Sequence, residues 1–350
     1  MKKKDKKETD LSRRQFIGAS AALAAGVAIS GSVFGSPAII RNLSKPYSEI
    51  KGVQIGTITY SYRSMPDQSA EATLRYVVDS GISAIELMGD PAESFAGKPE
   101  APFDRRTFWM TMRRRNEEEM TEDQKKELEE MRAKVAAYNK KVEEWRSSVS
   151  MEKFSQVRKM YKDAGVSIYA FKPSTFGQNN TDAEIDYGFR AAKALGASHV
   201  TVELPENEAQ SKKLGEFAAE NKIYIAYHGH EQQTPTAWDT ALKQSDYNAM
   251  NLDLGHYVAA GNPSPIELIK TKHDRIMSMH VKDRQTPENG KGNLPWGEGD
   301  TPIAKVLQLM RDQKYKFPAT IELEYRVPEG SNAVEEVVKC LDYCKNALES

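Results

Sequence analysis

The chain has 350 residues, with 49 Lys and Arg against 50 Asp and Glu, and only two cysteines. Beyond residue 36 there remain 42 basic and 47 acidic residues, so that part carries about five net negative charges and is no obvious binder of nucleic acid or membrane surface. Cys340 and Cys344 stand four apart near the C-terminus, a spacing that suits neither a disulfide framework nor a zinc knuckle, and both read as packing residues.

A basic stretch, Met1 to Lys7, precedes Ser12-Arg13-Arg14-Gln15-Phe16-Ile17 and an apolar run to Phe34 that Gly and Ser dilute. The paired arginines and the weak run resemble a twin-arginine export signal. A spanning helix wants ~20 predominantly apolar residues, and this run falls short of that. No Cys near its end offers a site for lipid. The resemblance implies a signal peptide over 1–36, a linker over 37–51, periplasmic localisation and no membrane attachment after cleavage.

From Gly52 onward, short β-branched runs alternate with longer amphipathic ones. Strands are expected at 53–61, 83–88, 166–172, 199–204, 223–228, 250–254, 277–282 and 319–325. Helices are expected at 69–80, 122–164, 181–196, 207–221, 235–246, 264–272, 300–314 and 331–348. Eight strands, each followed by a helix, predict an α/β fold, a (β/α)8 TIM barrel occupying 52–350 as one domain. A doubly wound open sheet would usually carry a Gly-rich phosphate turn after its first strand, and none is present.

One gap is unusually long, at 92–165 between the second and third strands. Asp104 to Arg146 holds twelve basic and eleven acidic residues. Thr121 and Gln124 form a capping box, after which Leu128, Met131, Val135, Tyr138, Val142, Trp145 and Val149 recur at spacings of three and four. The pattern predicts a long, charged helix with a narrow apolar seam, packed on the barrel's flank or in a homodimer.

Residue parity locates the chemistry. Alternate barrel side chains point inward, and the outward ones must be apolar to meet the helices. Thr320, Glu322 and Glu324 then face inward on the eighth strand, Ser278, His280 and Lys282 on the seventh, Asn251 and Asp253 on the sixth, and His199, Thr201 and Glu203 on the fourth. Buried carboxylates without partners are costly, and a cation removes that cost. Glu203, Asp253, His280 and Glu324 fall near the C-terminal strand ends, where barrel enzymes build their sites, and form a hard O/N set for one divalent ion: Mn²⁺, Mg²⁺, Co²⁺ or Zn²⁺. His228, His230 and His256 are further candidates for ligand or acid–base roles. Lys282 and Trp296 are candidates to contact substrate, as is Arg326 just past the eighth strand.

Leu252-Asp253-Leu254-Gly255-His256, His280-Val281-Lys282-Asp283, Gly297-Glu298-Gly299-Asp300 and Ile321-Glu322-Leu323-Glu324-Tyr325, in this order, resemble the xylose isomerase-like superfamily of sugar isomerases and epimerases. The resemblance implies metal ligands at Asp253, His280 and Glu324. Family epimerases usually carry a Glu at the end of the fifth strand, where this chain reads His228-Gly229-His230, a pattern more like inosose dehydratases and lyases of 3-keto-glycosides. The fourth ligand is then Glu203; alternatively it is His228, with Glu203 as general base. The implied chemistry is removal of a proton beside a metal-chelated ketone through an enediolate. A lyase or dehydratase on a 3-keto-sugar, 3-keto-glycoside or inosose ranks ahead of a keto-sugar epimerase or aldose–ketose isomerase. A non-catalytic sugar-binding module is the remaining alternative, and the partner is a small sugar or glycoside.

Overall fold

The structure, a computed structural model, describes residues 45–113 and 120–350. The expected signal peptide, residues 1–36, and the first part of the expected linker lie outside the described residues.

A two-residue strand, β1 (Glu49–Ile50), turns through Lys51 and Gly52, both at positive φ, into the first barrel strand, β2 (Val53–Ile58). The others are β3 (Ala84–Met88), β4 (Ser167–Lys172), β5 (His199–Glu203), β6 (Tyr224–His228), β7 (Asn248–Asp253), β8 (Ile276–Val281) and, after a short hairpin of β9 (Asp283–Arg284) and β10 (Asn293–Leu294), β11 (Ala319–Ile321). All eight run parallel, and β2 pairs with both β3 and β11, which closes the expected barrel.

The helices are α1 (Ala70–Asp79), α2 (Gly89–Phe95), α3 (Arg105–Met112), α4 (Glu122–Ser148), α5 (Met151–Asp163), α6 (Asp182–Leu195), α7 (Glu208–Asn221), α8 (Asp239–Gln244), α9 (Leu254–Ala259), α10 (Pro265–Lys272), α11 (Ile303–Gln313) and α12 (Ala333–Glu349). Among the described residues, no helix is long and apolar enough to cross a membrane. The apolar layer lies between barrel and helices. Phe154 of α5, fully buried, meets Phe171 of β4 and Tyr187 of α6 at centroid distances of 6.5 and 6.0 Å. Phe154→Ala would leave a cavity between three elements and cost about 3–5 kcal/mol.

The long segment after β3 differs from the single helix expected at 122–164. The Thr121–Gln124 capping box forms, but α4 ends at Ser148 and Val149 is extended. The Ser148 hydroxyl donates back to the carbonyls of Glu144 and Trp145, and Ser150 caps the next helix by accepting from Glu152 N. Hydroxyls that compete for backbone groups, followed by a β-branched residue, make this a point of exit from a helix. The seam is covered in part within the chain, with Val135, Tyr138, Trp145 and Val149 half-buried. Leu128 and Met131 are buried near α3, while Val142 and Arg146 are buried toward the barrel, where Trp145 meets Tyr187 edge-on at 5.8 Å.

The lower barrel is filled by side chains. Opposite β3 one extra residue, Tyr169, stands in β4 as a bulge, and its hydroxyl shares a 2.7 Å hydrogen bond with Thr320. Gly56 makes room for that ring, since a Cβ there would lie 2.7 Å from the phenol oxygen. His199 stacks on Tyr169 at 6.0 Å and shares a hydrogen bond with Ser278 at 3.0 Å.

Candidate functional site

Above that layer lies a buried polar one. Glu86 of β3 is fully enclosed, with Oε1 accepting from Thr201 at 2.6 Å and Oε2 accepting from Asn251 at 3.3 Å. His280 Nε2 lies 2.8 Å from Glu86 Oε2, and His280 Nδ1 lies 2.9 Å from Glu322 Oε2. Burial opposes charge on this imidazole, but the two carboxylates outweigh it and raise its pKa to about 10. Burial likewise opposes ionisation of Glu86, and the facing imidazole overrides it, bringing the pKa down to about 2.

Four groups converge above Glu86. His228, Asp253, His280 and Glu322, all buried, present one ligand atom each, and these atoms lie within 4.8 Å of one another. His228 Nδ1 lies 2.9 Å from Asn251 Oδ1, which leaves Nε2 turned toward Asp253 Oδ2 at 3.9 Å. His280 Nδ1 lies at the same 3.9 Å from that oxygen. Asp253 Oδ1 accepts from His256 N at 2.7 Å and caps α9, whereas the buried Oδ2 has no hydrogen-bond partner. The Lys282 ammonium stands 3.0 Å from Oδ2 but out of line for a hydrogen bond.

These features fit a divalent ion. Two imidazoles are each held at their far nitrogen by a polar side chain and turn the near one toward carboxylate oxygens, that of His228 toward Asp253 and that of His280 toward Asp253 and Glu322, an orientation that metal-binding histidines share. Burial, with the charges of His280 and Lys172, lowers the His228 pKa to about 3 and keeps it in the neutral form a ligand needs. Lys282 also meets Glu322 at 2.6 Å and Glu324 at 2.8 Å. Four carboxyl groups, of Glu86, Asp253, Glu322 and Glu324, thus surround one ammonium and one imidazole, a surplus that a divalent cation would offset.

The grouping differs from the expected Glu203, Asp253, His280 and Glu324. Glu322 N still bonds to Val281 O, so Glu322 stays inside, while the ladder of β11 ends at Ile321 and Glu324 rides above on Lys282. Glu203, about half-exposed, lies outside the group and forms a separate cluster at the rim. Its Oε1 accepts from Lys172 at 2.9 Å and its Oε2 lies 2.8 Å from His230 Nε2. That contact raises the His230 pKa, while His230 and Lys172 overcome burial to hold Glu203 well below the usual carboxylate range.

The His256 ring stacks on His230 at 4.5 Å, and Arg284 Nη1 donates to its Nδ1 at 2.6 Å. Burial and the nearby Lys282 charge bring His256 down to about 3. Trp296 packs edge-on against Tyr343 of α12 at 5.8 Å, a contact that belongs to the seating of the last helix. The Gly297–Asp300 segment wraps Asp283, whose carboxylate accepts from the backbone N–H groups of Gly297, Gly299 and Thr301. Arg326 is exposed. Sequence reasoning passed over Glu86, although the same parity rule puts Ala84, Glu86 and Met88 on one face of 83–88.

The sequence profile described as xylose isomerase-like TIM barrel matches residues 133–344. No curated protein matches the chain by sequence. Among solved structures, the chain is similar to the 3-keto-D-glucoside 4-epimerase of E. coli, at 11% identity and a TM-score of 0.54, covering 83% of this chain and 100% of that one. A sugar phosphate isomerase/epimerase from Parabacteroides distasonis ATCC 8503 gives 18% and 0.52, covering 83% and 93%. The probable 3-DHS dehydratase of Bacillus anthracis gives 15% and 0.54, covering 83% and 97%. At these identities the likeness is one of fold.

Proposed function

The chain belongs to the xylose isomerase-like TIM-barrel family, and on that basis we propose that it is a sugar enzyme that binds one divalent ion through His228, Asp253, His280 and Glu322. The observation that carries this reading is the convergence of four buried ligand atoms, from His228, Asp253, His280 and Glu322, within 4.8 Å of one another. A divalent ion held there polarises a ketone oxygen and steadies the negative charge that develops as the neighbouring carbon loses its proton.

The chain's own groups would move that proton. Glu203, kept ionised, is the base, and His230, 2.8 Å away with a raised pKa, is the acid. A base and an acid side by side on one wall suit a syn elimination. Glu203 takes the proton from the carbon beside the ketone, the bond from the next carbon to its oxygen breaks, and His230 protonates the departing oxygen. The proton then passes from Glu203 to His230, restoring both. This favours a lyase on a 3-keto-sugar, 3-keto-glycoside or inosose. One observation supports epimerisation instead: Glu324 follows β11, four strands around the ring from the β5 of Glu203, and could return a proton to the opposite face. If residues 1–36 direct export, the substrate is a free or glycosidic sugar of the periplasm.

The test is incubation of metal-replete protein with 3-keto-glucosides and with simple ketoses, followed by NMR. An unsaturated product with release of the aglycone is expected. Epimer without elimination selects the second reading, and a metal-free protein that binds sugar but converts none overturns both.

A further inference from the structure

A second group of ligand atoms lies at the mouth. The imidazoles of His228, His230 and His256 bring one nitrogen each within 4.8 Å of the others, a three-histidine set of the kind that zinc accepts. His228 already belongs to the buried four, so the use of this group turns on His230 and His256.

His256 is held from several sides. Its backbone N–H donates to Asp253 Oδ1 at 2.7 Å, its ring stacks on His230 at 4.5 Å, and Arg284 Nη1 donates to its Nδ1 at 2.6 Å. Arg284 is itself buried, 7% exposed, and fixed. Its Nη2 donates to Glu231 at 2.8 Å and to the Lys291 carbonyl at 2.7 Å, while its backbone N–H donates to Thr301 Oγ1 at 3.0 Å. Gly255 makes the approach possible, since a Cβ there would lie 3.0 Å from Arg284 Cγ and 2.9 Å from the Lys282 carbonyl oxygen.

A guanidinium donates only, and it stays charged. Nδ1 of His256 must therefore accept, which rules out a proton on that nitrogen and leaves the ring with an N–H at Nε2 alone. With Nδ1 engaged, Nε2 is also the one ring nitrogen open to an ion, and it lies 4.0 Å from Glu324 Oε2. A metal on Nε2 needs the proton on Nδ1, where ligand histidines donate to a carboxylate, a carbonyl or water. At His256 that place holds a donor, and N–H would face N–H. His228 and His280 differ in this respect, because Asn251 Oδ1 and Glu86 Oε2 behind them can accept.

We propose that Arg284 is a positioning residue, which fixes His256 as a donor at Nε2 and so withholds it from a second ion. The mouth then takes one ion, through the buried four, and His256 offers a fixed N–H to an acceptor oxygen beside it. The limit to one ion rests on the proposed function, whereas the tautomer of His256 rests on Arg284 alone.

Two measurements test this. Long-range ¹H–¹⁵N NMR of the full-length protein, with the ring assigned by its loss in His256→Gln, should place the proton on Nε2; a proton on Nδ1 overturns the proposal. Metal analysis after saturation with Zn²⁺ and desalting should give one ion per chain in the wild type and two in Arg284→Met. That variant keeps the stem beside Gly255 and removes the donor, and Lys291 still covers Glu231. One ion should return in Arg284→Lys, which restores a donor-only cation, and in the double variant Arg284→Met, His256→Gln. Two ions in the wild type, or no gain in a folded Arg284→Met, overturns the proposal. Should Arg284→Met not fold, the wild-type tautomer still decides. A wild type that holds no ion, with one gained in Arg284→Met, would leave the role of Arg284 standing while the proposed function fails.

Discussion

His280 Nε2 and Glu86 Oε2 meet at 2.8 Å in the barrel interior, one from β8 and the other from β3, strands that do not neighbour each other in the ring. The contact fixes the ring so that Nδ1, and not Nε2, faces the other three ligand atoms. Removing the charge while keeping the shape, as in Glu86→Gln, should weaken divalent-metal affinity by about 10–100-fold, the usual effect of losing a partner behind a ligand histidine. Calorimetric titration of Mn²⁺ or Zn²⁺ reads this directly, and an unchanged affinity would remove Glu86 from the site.

Asp253 does two things with two oxygens, and one substitution separates them. Asparagine still accepts from His256 N and still caps α9, since Asn and Asp cap about equally well. Asp253→Asn should therefore keep the melting temperature within a few degrees while abolishing stoichiometric metal binding and turnover. Retained metal after exhaustive purification would contradict the assignment of Oδ2.

At the rim, Glu203→Gln and His230→Gln should each lower kcat by about 10²–10⁴-fold, the ordinary range for a lost acid–base group, without loss of bound metal. The pH profile carries the sign. With His230 as the acid, activity falls on the alkaline side as pH rises through its raised pKa, and Glu203→Gln removes the contact that raises it, so that limb should move to lower pH. A limb that stays in place would show that another group supplies the proton.

The ion network under the insertion gives a stability prediction. Burial opposes ionisation of Glu184, but Asn180, Arg146 and the Thr181 N–H hold its pKa below the ordinary carboxylate value. Its contribution is therefore present above that ordinary value, near 4.5, and is lost as pH falls through the lowered one. Hydrogen exchange in α4 should accelerate on acidification below the ordinary carboxylate range. Arg146→Met should cost about 3 kcal/mol at neutral pH, because two buried carboxylates lose their shared cation, although Lys98 still covers Glu93.

The barrel was legible in the sequence because its signal is local: alternating strand and helix periods, and inward polar parity on 199–203, 250–253 and 277–282 that needs no tertiary knowledge. Depth within the barrel was not legible. Glu322 and Glu324 share parity, and what separates them is where β11 stops pairing, which depends on its neighbours β2 and β8. His228 and Glu203 sit opposite each other in the β5–β6 register, and only the anchor on Asn251 aims His228 inward. Glu86 was hidden for a similar reason. Between Ile85 and Leu87 it reads as one polar residue in an apolar strand, and its partners arrive from β5, β7 and β8 once the ring closes.

The bulged Tyr169, tied to Thr320 and seated against Gly56, stoppers the barrel from below. With the floor filled, a ligand of the proposed site would come and go at the C-terminal ends of the strands, where barrel enzymes build their sites. Under the lyase reading proposed above, the order in which the two halves depart would then be set at the rim and not at the floor.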